Sequence, residues 1–274
     1  MSQETKTRVL FGFSAAALVL GILFFGNTQL VLLTCLLGAS IAWHEFTQIT
    51  GLNRLKVVYS TGHLIVGATI FLGSKTPLSL ASLSWICLAT FLAIVIEHWS
   101  ADRNKSVDQA WNQWLLSVFG CFYPVFIFGF ITPIVRMSGG TLWVFLGLTV
   151  VFFGDTAAYA VGRRIGKRKL WPAVSPGKTI EGAVGGVLGS LVAAALSYFL
   201  FQKFFPSVEV PLAKLLIFAL LAAPMAQMGD LLESLLKRSN GAKDSGALIP
   251  GHGGILDRCD GLTFVFVFLY QLFF

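Results

Sequence analysis

Between Ser234 and Asp260 the chain reads SLLKRSNGAKDSGALIPGHGGILDRCD, a run of acids, bases and glycines set between apolar stretches. Charged side chains beside lipid are expensive, and a dense group of them marks a functional site. Carboxylates hold divalent cations, and Lys and Arg hold phosphates. The mixture suits chemistry on a phosphorylated substrate that lives in the membrane. Asp230, Glu233, Ser234 and Lys237 follow one another at i, i+3, i+4 and i+7, which puts them on one face of a helix. Such a stripe faces the protein interior or a water-filled cavity. The plainer alternative is an internal ion pair of Lys237 with Asp230 or Glu233 that only ties helices together. Lys243, Asp244, His252, Asp257, Arg258 and Asp260 come next, with Gly251, Gly253 and Gly254 around the histidine. Glycines allow positive φ and close backbone approach to a ligand, and their N–H groups can line an anion site. His252 can meet substrate or simply cap a turn. Asp230 and Asp257, from different helices, can converge on one cation. Hard oxygen ligands with phosphate partners suit Mg²⁺, whereas zinc would want more His or Cys.

A second constellation runs from Gly154 to Glu181. Asp155 lies inside an apolar stretch, a basic loop follows, and the loop ends in Ser175-Pro176-Gly177-Lys178-Thr179. A phosphate-binding P-loop is excluded, because Pro172 stands where the pattern needs Gly and no strand is expected before it. The segment reads instead as a helix entry, with Ser175, Lys178 and Thr179 at an N-terminus that favours anions. Arg163, Arg164, Lys167, Arg168 and Lys169 read as topology signal and lipid-headgroup contact. Trp43, His44 and Glu45, and likewise Glu97, His98 and Trp99, read as interfacial anchors. His63 reads as a satisfied core histidine.

The elements that position these groups are spanning helices. The chain has 274 residues, 55% of them hydrophobic and 12% charged, against about 25% charged in a soluble domain. The expectation is an all-α, polytopic membrane protein forming one domain, with N-terminal spans over 1–137 and catalytic spans and loops over 141–274. Continuous rather than alternating apolar runs exclude a β-barrel. A net charge of +7 fits anionic lipids and cytoplasmic loops, not nucleic acid. Cys35, Cys87, Cys121 and Cys259 are scattered singly and read as packing residues. Nine spans are expected, near 9–25, 30–49, 57–73, 79–98, 112–135, 141–162, 181–202, 212–236 and 260–274. The first follows Lys6 and Arg8 and reads as a spanning helix rather than a cleaved signal. With the N-terminus inside, only Lys75, Arg136, Lys203 and Lys214 of the 20 Lys and Arg fall outside. That bias places the loops 163–180 and 237–259 on the cytoplasmic side.

Ser234-x-x-Lys237-Arg238-x-x-x-x-Lys243-Asp244, followed by His252-Gly253-Gly254-x-x-Asp257-Arg258-x-Asp260, resembles the signature of the CDP-diacylglycerol synthase family, the phosphatidate cytidylyltransferases. Asp155-Thr156-x-Ala158-Tyr159 and Ser175-Pro176-Gly177-Lys178-Thr179 also resemble family features. Together they cover the C-terminal half. Cys259 and Ala157 depart mildly from the pattern, and neither removes a charged group. The resemblance implies that CTP and phosphatidate give CDP-diacylglycerol and pyrophosphate, with Mg²⁺, in a bacterial inner membrane, by a protein that forms dimers. It implies that Asp230 and Asp257 hold the metal, beside a second cation such as K⁺. Lys237, Arg238, Lys243 and Arg258 would then neutralise the two substrates, and Asp244 and Asp260 would bind the second cation or orient those bases. Lys178, Ser175 and Thr179 would hold phosphate, and Asp155 would support the metal or a basic partner. A transporter is the competing class; it is disfavoured because no repeat relates two halves and the charges gather at one membrane face. A CTP-using enzyme with another lipid acceptor is not separated by this motif. A CDP-alcohol phosphotransferase would need a DG-x-x-AR pattern that is absent.

Overall fold

Each long apolar run becomes a helix in the computed structural model of the chain, which describes residues 3–73, 80–101, 106–206, 208, 210–246 and 253–273. The helices are α1 (Gln3–Phe25), α2 (Thr28–Thr50), α3 (Lys56–Gly73), α4 (Leu80–Ala101), α5 (Val107–Phe128), α6 (Ile131–Arg136), α7 (Gly140–Ile165), α8 (Ile180–Phe204), α9 (Leu212–Ser239), α10 (Leu256–Cys259) and α11 (Val265–Phe273). Among the described residues, six stretches are long and apolar enough to cross a membrane: α2, α3, α5 with α6, α7, α8 and α9. The protein is nearly all-α and is a multi-pass membrane protein. The expected ninth span begins with a 3-10 turn at Asp260–Leu262, and α11 supplies nine helical residues, a rise of only about 14 Å. The expected fifth span is divided at Gly129 and Phe130 into α5 and α6. Pro133 falls in the first turn of α6, where its missing N–H removes no helical bond.

Two short strands depart from the all-α expectation. β1 (Lys169–Trp171) pairs antiparallel with β2 (Ser175–Thr179), with Lys169 opposite Thr179 and Trp171 opposite Ser175. The hairpin pairs backbone groups of the link from α7 to α8 with one another. Ile180 N–H donates to the Arg168 carbonyl at 2.9 Å. Glu181 accepts the Lys167 and Arg168 N–H groups, each at 3.1 Å, and the Arg168 Nε–H at 3.1 Å.

The chain forms two compact units, Met1–Pro133 with Asn240–Arg258, and Ile134–Ser239 with Cys259–Phe274. The core of the first holds the fully buried Trp43, Phe46 and Tyr123. Gly62 and Gly120 admit these rings, since a Cβ at either would strike Trp43 or Phe46. Trp43 Nε1–H donates to the Tyr59 carbonyl at 3.0 Å, and His63 Nδ1 lies 3.0 Å from the same oxygen, as a core histidine should. Glu97 is buried and accepts the Val57 N–H at 2.7 Å. Trp43, Glu45 and Glu97 are therefore interior groups, not the interfacial anchors expected; the apolar ends of these helices pack inward. His44 is exposed, and the side chains of His98 and Trp99 lie outside the described ones.

In the second unit α7 and α8 mesh through small residues, the usual way for membrane helices to approach closely. Gly154 faces Ser190, Ala158 faces Gly182 and Gly186, Val161 faces Gly185, and Ala157 packs onto Gly189. Ser190 Oγ–H closes the contact by donating to the Val150 carbonyl at 2.8 Å.

Candidate active site

The second unit gathers its charged groups on α7, β2, α9 and the turn after α10. Lys178, on β2, reaches α9. Its Nζ lies 2.7 Å from Asp230 Oδ2 and donates to the Gln227 carbonyl at 3.4 Å. Ser234 Oγ–H donates to Asp230 Oδ1 at 3.3 Å. Gly229 lets the backbone of Asp260 press against α9, because a Cβ there would collide with the Asp260 carbonyl. Gly261 in turn brings Asp155 close, with Asp155 Oδ2 beside the position of a Gly261 Cβ. Asp230 and Asp260 each repel their acidic neighbours, and Lys178 offsets the charge of Asp230 and Asp155. Asp260 stands outside the six long apolar helices. Burial, and then repulsion from Asp230, push its carboxyl from the usual 3.8 up to about 7. Asp155 is ten residues before the end of α7 and Asp230 nine before the end of α9, each about 15 Å along its helix. The polar stripe on α9 serves two partners. Lys237 Nζ pairs with Glu233 Oε2 at 3.2 Å, with the glutamate side chain fully buried, while Asp230 pairs with the hairpin.

The first unit holds the other half of the motif. Asp257 Oδ2 accepts three donors: Ser245 N–H at 2.8 Å, Ser245 Oγ–H at 2.8 Å and Gly254 N–H at 2.9 Å. Gly253 has φ +78°, and the Asp257 carboxylate fills the space its Cβ would need. Gly254 is equally constrained, since a Cβ there would meet Glu45 and Ser245. These glycines make room for the protein's own carboxylates, and the Gly254 N–H is spent on Asp257. Glu45 was not foreseen as part of this arrangement. Its carboxylate accepts Ile255 N–H at 3.0 Å, Leu256 N–H at 2.9 Å and the Ser245 hydroxyl at 3.1 Å. The signal was present, because an acid in an apolar membrane helix is a functional hypothesis by default.

Of the other expected residues, Thr179 caps α8, its Oγ1 accepting Gly182 N–H at 3.1 Å. Ser175 is half-buried at the start of β2, and Arg238, Lys243, Asp244 and Arg258 are exposed. His252 lies outside the described residues. Gln227, whose Nε2–H donates to the Ala183 carbonyl at 3.1 Å, ties α9 to α8 beneath Lys178; nothing in its sequence context singled it out.

The residues fit a hard divalent cation. The clustered acids of the second unit offer only oxygen, and Lys178 offsets just two of them, Asp230 and Asp155. Among the described residues no three His, Cys, Asp or Glu groups come together closely enough to hold a metal alone. An ion there must complete its shell with phosphate and water, which suits Mg²⁺, usually held by one or two protein carboxylates.

The model of the cytidylyltransferase family matches residues 6–274. The chain is 31% identical over 272 residues to the phosphatidate cytidylyltransferase of Bacillus subtilis (strain 168), covering 98% of this chain and 97% of that one. It is 33% identical over 264 residues to the phosphatidate cytidylyltransferase of Staphylococcus haemolyticus (strain JCSC1435), with 95% of each covered. With the match running almost end to end, through the span that carries Asp155, the hairpin that carries Lys178 and the motif that carries Asp230 and Asp257, the chain belongs to the cytidylyltransferase family.

Proposed function

We propose that the protein transfers the cytidylyl group of CTP to phosphatidate, giving CDP-diacylglycerol and pyrophosphate for phospholipid synthesis. The observation that carries this reading is the meeting of Lys178 and Asp230 beside Asp155 and Asp260 in a chain of the cytidylyltransferase family. A phosphate oxygen of phosphatidate attacks the α-phosphorus of CTP. The bond from that phosphorus to the oxygen leading to the β-phosphate breaks, and pyrophosphate departs. A phosphomonoester loses its second proton near pH ~6, so the attacking oxygen needs no general base. The barrier is repulsion between anions and charge on the leaving group, which positioning and electrostatics relieve.

Asp230 and Asp257 would hold Mg²⁺, which when bound supplies charge neutralisation on the triphosphate. A lysine ammonium has three donors. Those of Lys178 serve Asp230 and Gln227, and the remaining one suits a phosphate oxygen. The exposed Arg238, Lys243 and Arg258 attract both anionic substrates, while Lys237 acts from its pair with Glu233. Asp244 and Asp260 take a second cation such as K⁺ or orient these bases. In this reading the chain crosses the inner membrane several times, with the N-terminus and the active-site loops cytoplasmic, among anionic lipids and as a homodimer. The distribution of Lys and Arg supports that orientation.

The test uses purified protein in lipid–detergent micelles with phosphatidate, labelled CTP and Mg²⁺, following label into the lipid phase. Lipid-borne label that EDTA abolishes is the expected result. Label transferred only to a different lipid acceptor, or none at all from a folded preparation, would sink the proposal.

A further inference from the structure

Glu45 reaches the motif from 200 residues earlier in the chain. It is 5% exposed, and a buried carboxylate is tolerated only when several donors meet it. Both its oxygens receive N–H groups at the start of α10, Oε1 from Ile255 and Oε2 from Leu256. Oε2 also faces the Ser245 hydroxyl at 3.1 Å, and that hydroxyl has Asp257 Oδ2 as its other acceptor at 2.8 Å. A hydroxyl has one proton to give, so Ser245 stands as a shared link between the two carboxylates. The Asp257 N–H returns to Ser245 Oγ at 3.3 Å. Gly254 lies between, its missing Cβ leaving space for Glu45 and Ser245. The arrangement needs an acid, because a glutamine would set an NH₂ group against a backbone donor. Glu97 offers a comparison within the same unit. It is also buried and also accepts a backbone N–H, but its partner is Val57, at the start of a helix with no site residue.

We infer that Glu45 is a positioning residue for Asp257: through Ser245 and the backbone of residues 254–256 it holds the Asp257 carboxylate in the one orientation that presents it to a cation. The inference rests on the cytidylyl-transfer reading for the use of that cation, and its test is independent of turnover. The melting temperature of the purified full-length protein is titrated with Mg²⁺ alone, and turnover is followed in the same preparations. Glu45→Gln should raise the Mg²⁺ concentration for half-maximal stabilisation about tenfold or more. Ser245→Ala should do likewise, and the double variant should be no worse than the larger single effect, as expected of residues acting as one unit. Glu97→Gln should lower the melting temperature and leave the Mg²⁺ midpoint in place. Where Glu45→Gln does not fold, Ser245→Ala decides. Midpoints within about twofold of wild type in both variants, or an equal shift in Glu97→Gln, would overturn the inference, since effects of that size do not separate coupled from independent sites. So would a wild-type protein that Mg²⁺ does not stabilise. A shifted midpoint in a protein that moves no cytidylyl group to phosphatidate leaves the inference standing and removes the proposed reaction instead.

Discussion

Asp257 and Asp230 belong to one motif but have opposite surroundings. One oxygen of Asp257 receives three donors inside its unit, and a second buried acid, Glu45, braces the same turn. Asp230 has one lysine and one hydroxyl for company and two further aspartates to repel it. A carboxylate oxygen with several donors is fixed in place. A cluster of under-compensated acids is held in tension and gains from an added positive charge, the usual condition of a functional site.

That contrast can be broken in four places. Asp257→Asn sets an amide NH₂ among donors that need an acceptor. Labelled-CTP turnover should fall about 10²–10³-fold in protein that still inserts and folds. Near-normal turnover at saturating Mg²⁺ would remove Asp257 from the site. Lys178→Met leaves Asp230 and Asp155 without their nearby base, and turnover should fall about ten- to a hundredfold. An unchanged rate would mean that the pair with Asp230 only ties the hairpin to α9. Asp260→Asn should act on stability in the opposite direction. With its carboxyl raised from 3.8 to about 7, native Asp260 keeps a proton that the unfolded chain has already lost, so stability falls as pH climbs through that window. In EDTA the wild-type melting temperature should drop between pH 5 and 7, by roughly 5–9 °C, and Asp260→Asn should flatten the slope. A slope that persists in the variant would assign it to other carboxylates. Arg168→Ala should change turnover by no more than about twofold, because the Arg168 side chain is solvent-exposed and the backbone bonds to Glu181 remain.

The legible parts of this protein were those where charge interrupts apolar sequence. The helix expected at 212–236 is α9 at Leu212–Ser239, because Asp230 to Arg238 announce both its polar face and its end. Lys178 and Thr179 were expected at a helix entry, and Thr179 caps α8. The hairpin was not legible: strands of three and five residues carry no alternation long enough to read. Glu45 was misread because a single acid beside Trp43 looks like an interfacial anchor, and the donors that bury it lie in the loop that ends at α10. The last segment read as a span from composition alone. In the fold Thr263 donates its N–H and hydroxyl to the Asp260 carbonyl, which holds the turn and delays the helix to Val265.

The small-residue seam between α7 and α8 works as a gear. Gly154, Ala158, Gly182, Gly186 and Ser190 interlock backbone against backbone, so neither helix can rotate about its axis without collision. α7 carries Asp155, and the hairpin that carries Lys178 runs directly into α8. One residue inserted between Gly182 and Ser190 would turn half of α8 by about 100°. Either the teeth would disengage or Lys178 would be carried away from Asp230. The register of these two helices therefore fixes where Asp155 and Lys178 stand, and a length change there should be as damaging as the loss of a charge.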